Sequence, residues 1–90
     1  MPTYGGTPVL TIGKAGQARE AVRAWFNEIG WDGDMPALFK PGHEGPMYVL
    51  SLEDGPEDWP MQICDALYGK WPAGVFAEPV SSWCLGLYPA

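Results

Sequence analysis

The sequence predicts a small two-layer α+β domain: about four mainly antiparallel strands with two helices on one face, in the order β-α-β-α-β-β. Three observations predict it. Apolar residues recur at helical spacing between Ala18 and Ile29, MYVLSLE alternates with a period of two, and GVFAE with SSWCLGLY closes the chain as two short runs fit for a hairpin. Ninety residues suit one core, so residues 1–90 read as a single domain; an alternating parallel fold would need longer crossovers.

TPVLTI, residues 7–12, is short, β-branched and closed by Gly13, and reads as a first strand. Ala18, Ala21, Val22, Trp25, Phe26 and Ile29 then share one helical face, with Gln17, Glu20, Arg23, Asn27 and Glu28 between them. Gly30 supplies the stop, so a helix is predicted over about 15–29. WDGDMPALFKPGHEGP, residues 31–46, has no steady period and is rich in proline and glycine, which predicts a loop with Ala37, Leu38 and Phe39 turned inward. In MYVLSLE, residues 47–53, Tyr48, Leu50 and Leu52 form one strongly apolar strand face.

EDGPEDWP turns the chain. Asp58 or Trp59 caps a second helix because Pro60 is tolerated in a first turn, and Gly69 ends it; Ile63, Ala66 and Leu67 make its inward stripe. The final runs are separated by Pro79, Val80 and a serine or two, which predicts a hairpin loop of about three to five residues. In the closing strand Trp83, Leu85 and Leu87 fall on one face and Cys84, Gly86 and Tyr88 on the other. Two helices cover only one of these faces. The other is roofed by the 31–46 loop within the monomer, the plainer expectation, or left open to a second molecule.

Composition bounds the function. Gly and Pro make up 22 of the 90 residues, yet 47% of the chain is hydrophobic and five residues are tryptophan, enough apolar area to fold. The net charge is -6: residues 1–23 sum to +2 and the remainder to -8. Nucleic acid is therefore not expected as a direct ligand, since phosphate binding needs clustered Lys and Arg. No run suits a membrane helix, and MPTYGGTP lacks the layout of a signal peptide, so the expected location is cytoplasmic with no membrane partner. Cys64 and Cys84 form neither a CxxC pair nor a zinc spacing; one disulfide is conceivable, but buried, reduced thiols are the simpler expectation.

Several constellations invite a chemical reading, and most reduce to ordinary structure. TIGKAGQARE sets Gly13, Lys14 and Gly16 before a helix as an anion cradle would, without a Walker or dinucleotide spacing; a turn and a solvated lysine explain it as well. His43 beside Glu44 needs an acidic thiol for nucleophilic chemistry, whereas Cys64 flanks an apolar stripe. Asp32 and Asp34 begin like a calcium loop, but Met35, Pro36 and Ala37 follow where oxygen ligands belong, so a tight turn is expected. No catalytic residue, metal ligand or cofactor is assigned.

Two features point to a protein partner. Glu53, Asp54, Glu57, Asp58 and Asp65 crowd one turn and short helix, with no basic residue between Lys40 and Lys70. Helix capping accounts for some of them, and electrostatic steering toward a basic surface accounts for them together. Five tryptophans exceed what packing of so small a domain requires and tryptophan anchors many interfaces, although Trp31, Trp59, Trp71 and Trp83 taken singly are each expected in the core. The predicted function is a small acidic, non-enzymatic protein–protein interaction module whose partner, another protein or a second copy, meets Trp71, Trp83, Tyr88, Glu53, Asp54, Glu57 and Asp58. The alternative is an inhibitor or DNA mimic that occupies a basic nucleic-acid-binding surface of a host protein. In brevity, acidity and richness in Trp, Gly and Pro the chain resembles small accessory proteins of actinobacterial phages, a likeness carried by no motif and by no particular residue.

Overall fold

A computed structural model describes residues 9–40 and 46–90. It contains helices α1 (Ile12–Glu28) and α2 (Trp59–Ala66) and strands β1 (Ala37–Phe39), β2 (Tyr48–Ser51), β3 (Val75–Ser81) and β4 (Cys84–Pro89). The four strands form one antiparallel sheet in the order β1-β2-β4-β3, so the α+β class is as expected. Their order along the chain is α-β-β-α-β-β rather than β-α-β-α-β-β.

Two local readings account for that difference. The expected strand at 7–12 does not form over its described part: Thr11 is the extended N-cap of α1, its hydroxyl accepting from the Lys14 amide at 3.4 Å, and Ile12 is already helical. Residues 7 and 8 lie outside the described segment. Period decides the issue, because Ala15 joins the Ala18, Val22, Trp25 and Phe26 stripe, and all five are buried. In place of the lost strand the 31–46 loop supplies β1, pairing Ala37, Leu38 and Phe39 with Ser51, Leu50 and Val49. Only Leu38 of the three turns toward the core; Ala37 and Phe39 are exposed.

Phe26 lies at the centre of the core, fully buried, with Trp25, Trp59 and Trp31 edge-on to it at ring separations of 5.3, 5.4 and 6.3 Å. Each indole that goes inward needs a partner for its N–H. Trp59 donates to the Leu52 carbonyl at 3.0 Å and Trp31 to the Asp34 carbonyl at 2.7 Å. Trp31 thereby stitches the Asp32–Asp34 turn, where a Cβ on Gly33 would come within 2.6 Å of its ring. Trp31 and Trp59 are thus packing residues, as expected of a tryptophan taken singly.

The start of α2 is set by the turn before it. Asp58, its N-cap, sits in the left-handed region at φ 55° and makes no side-chain cap bond, while Pro60 occupies the first turn as expected. Ile63 is fully buried, but the helix ends at Ala66, and Ala66 is exposed rather than part of the inward stripe. Registers place Leu38, Leu50, Leu85, Leu87 and Ala77 on the helix-covered face. The hairpin between β3 and β4 is tighter than expected. β3 runs through Pro79 and Val80 to Ser81, with a bulge between Pro79 and Ser81, leaving only Ser82 and Trp83 between the strands. Trp83 therefore belongs to the turn, exposed, and not to the strand face of Leu85 and Leu87.

Candidate protein-binding surfaces

The sheet face away from the helices carries Phe39, Val49, Val80, Phe76, Tyr88, Cys84 and Gly86, with Glu78 its one charged side chain on β3. Phe39, Phe76 and Val80 are each about half exposed, at 48%, 52% and 52%. Residues 41–45 of the loop expected to roof this face lie outside the described residues; on the reverse of β4 Gly86 is buried, as is Val49 beside it, and Cys84 and Tyr88 are half-buried. Leu85 and Leu87 are fully buried beneath the helices, and the reverse of the same strand lies within an apolar surface open at its margins. Tyr88 leans over Gly86, where an added Cβ would meet its ring at 2.9 Å and Val80 at 2.9 Å. The same ring stands 6.1 Å from that of Phe76. Burial raises the Tyr88 pKa, helped by a hydrogen bond from its hydroxyl to the Glu78 carboxylate and by the negative charge there.

At one end of the molecule the acidic turn and the hairpin meet. Glu53, Glu57 and Asp58, with Gly55, Pro56 and Ser82, surround a groove of about 350 Å³ that Trp83 also lines. Glu53, Asp54, Glu57 and Asp58 are all exposed, and none is ion-paired among the described residues. The structure thus brings four of the residues singled out from sequence into one site, Trp83 with three carboxylates, and sets Asp54 within the same turn. No family model matches the chain, and neither a curated protein nor a solved structure does. Function must be read from these surfaces alone.

Trp71 lies elsewhere. Half-buried against the core, it lines a groove of about 470 Å³ between α2 and β3, together with Cys64, Asp65, Tyr68 and Phe76. A smaller groove of about 220 Å³ continues between the start of α2 and the end of β3, bounded by Pro60, Met61, Pro79 and Val80. Met61 and Tyr68, exposed at 60% and 86%, were not singled out from sequence, nor were Phe39, Phe76 and Val80. For Phe76 a signal existed: in VFAE it is the outward residue of an alternating strand, apolar where solvent would favour a polar side chain.

The remaining candidates resolve simply. Gly13, Lys14 and Gly16 lie inside α1, and the Lys14 ammonium donates to the Ala73 carbonyl at 3.2 Å, tying the helix to the connector before β3. Cys64 and Cys84 are free thiols, and Cys84 contacts the Ser51 hydroxyl across the strands at 3.6 Å. Burial, then the charges of Asp65 and Glu78, push the Cys64 thiol up to about 11, which makes it a poor nucleophile at neutral pH. His43 and Glu44 lie outside the described residues. No helix among the described residues is long and apolar enough to cross a membrane.

Proposed function

We propose that this chain is a non-enzymatic protein-binding module whose partner covers the open sheet face and reaches around to Trp83 and the acidic turn. The observation that carries this reading is the apolar side of the sheet itself, where Phe76 and Val80 stand half in water beside Tyr88 and Phe39 does so on the opposite outer strand. Contiguous exposed apolar surface marks interaction sites on soluble domains, and an exposed tryptophan at its edge suits an anchor. Glu53, Asp54, Glu57 and Asp58 at that end favour a partner with a basic rim, since such charges steer encounter more than they hold the complex.

The groove of unpaired carboxylates also favours a second reading, an inhibitor seated on a nucleic-acid site of another protein. Capture of partners by the immobilised chain at low and high salt separates the two. The first reading expects capture that persists at high salt and drops about tenfold or more when Trp83 or Tyr88 becomes alanine, the scale of a lost interface anchor. Capture that collapses with salt and on charge reversal of the four acids belongs to the second. Indifference to both sets of variants overturns both, and sedimentation of the pure chain decides whether the partner is a second copy.

A further inference from the structure

β3 is an outer strand of the sheet, and the alternation of an antiparallel pair decides which of its peptide groups face β4. The Ala90 amide donates to the Gly74 carbonyl at 3.2 Å, so Gly74 points toward β4, and the register extends this to Phe76 and Glu78. Val75, Ala77 and Pro79 therefore point outward. The Val75 N–H is already spent on the Pro72 carbonyl at 3.1 Å, and Pro79 has none. The free edge thus offers the carbonyls of Val75, Ala77 and Pro79 and a single donor, the Ala77 amide.

This edge forms one wall of the two grooves that run beside it, and α2 forms the other. Met61 on α2 and Tyr68 just beyond its end are large, apolar and more than half exposed, so exposed apolar surface lines this groove as well. Asp65 lines the groove and supplies negative charge there, acting on the Cys64 thiol. Lys14, bound to the Ala73 carbonyl, lies at its Gly74 end.

We propose that the β3 edge binds an extended segment of a different protein as a fifth strand of the sheet, in the groove under α2. One apolar side chain of that segment rests against Tyr68 and Trp71, and a basic one faces Asp65. Such strand addition draws affinity from main-chain hydrogen bonds and specificity from the alternate side chains. A foreign strand laid antiparallel makes four backbone bonds: an exchanged pair at Ala77 and one donation each to Val75 and Pro79. A second copy does worse. Because Val75 has no free N–H and Pro79 has none at all, any two-fold pairing of β3 with itself makes at most two bonds, and each copy carries a net charge of -6. The proposal rests on the reading of the chain as a protein-binding module but uses a different surface from the open sheet face.

The test selects binders to the full chain from a displayed library of random ten-residue peptides, then maps them by amide shifts and hydrogen exchange. The expected result is perturbation running through residues 74–79 and α2, with protection of the Ala77 amide on binding. Ala77→Pro removes the outward donor without removing a bond to β4 and should weaken binding about tenfold, the scale of one hydrogen bond and a displaced strand. Should that variant not fold, N-methylation of the peptide at the residue opposite Ala77 gives the same loss. Phe39→Ser, on the open face, should leave peptide affinity unchanged. Failure to select any binder, selected peptides that map to the open face, or an Ala77 amide already protected in the free monomer would each overturn the proposal; the second outcome leaves the function proposed above standing.

Discussion

Gly86 shows how much of this molecule turns on single atoms. It is buried in the middle of β4, and the Tyr88 ring and Val80 close over the space that a side chain would take. Gly86→Ala must push both aside, and overpacking of this kind costs about 1–3 kcal/mol. Urea denaturation should show that loss, with a further drop for Gly86→Val. Cys64 offers a second test, on pH. Its thiol is raised from 9.0 to about 11, so folding disfavours the thiolate. The linked stability is complete below about pH 9 and declines between about 9 and 11, where the unfolded chain ionises and the folded chain does not. Alkylation of Cys64 in the folded chain should therefore be slow at pH 8 and climb until about pH 11. A rate that levels off near pH 9 would refute the assignment.

At the scale of elements, α1 was legible because its stripe is long: five buried residues at one period outweigh two glycines in the first turns. Its beginning was not, because Val9, Leu10 and Ile12 look like strand by composition while only Leu10 is buried. Thr11 starts the helix with a hydroxyl bond that is long, so Thr11→Ala should cost about 0.5 kcal/mol, at the low end for caps, read as a small shift of the urea midpoint. β1 could not be read at all. Three residues between prolines carry no period, and only pairing with β2 makes them a strand. The β3–β4 hairpin was found in place but drawn too loose, since Pro79 reads as a turn residue and is in fact tolerated on an edge. The candidate site was half visible: Trp83, Tyr88 and the acids stand where an interface reading needs them, whereas Phe39 and Phe76 become surface only once the sheet order is known.

For the molecule as a whole, the division of aromatic residues is the informative property. Trp25, Trp31 and Trp59 gather on Phe26 beneath the sheet, and Phe39, Phe76, Tyr88 and Trp83 are left on the other side or at its rim. One layer of helices can shelter one side of one sheet. The order β1-β2-β4-β3 has another consequence, for assembly during synthesis. β4 is the last of these strands to be made, yet it holds an interior slot, bridging β2 on one flank and β3 on the other. A nascent chain that has emerged only as far as β3 has its hairpin of β1 and β2 on one side and a solitary ribbon on the other, with no strand between them. Closure of the sheet waits on β4.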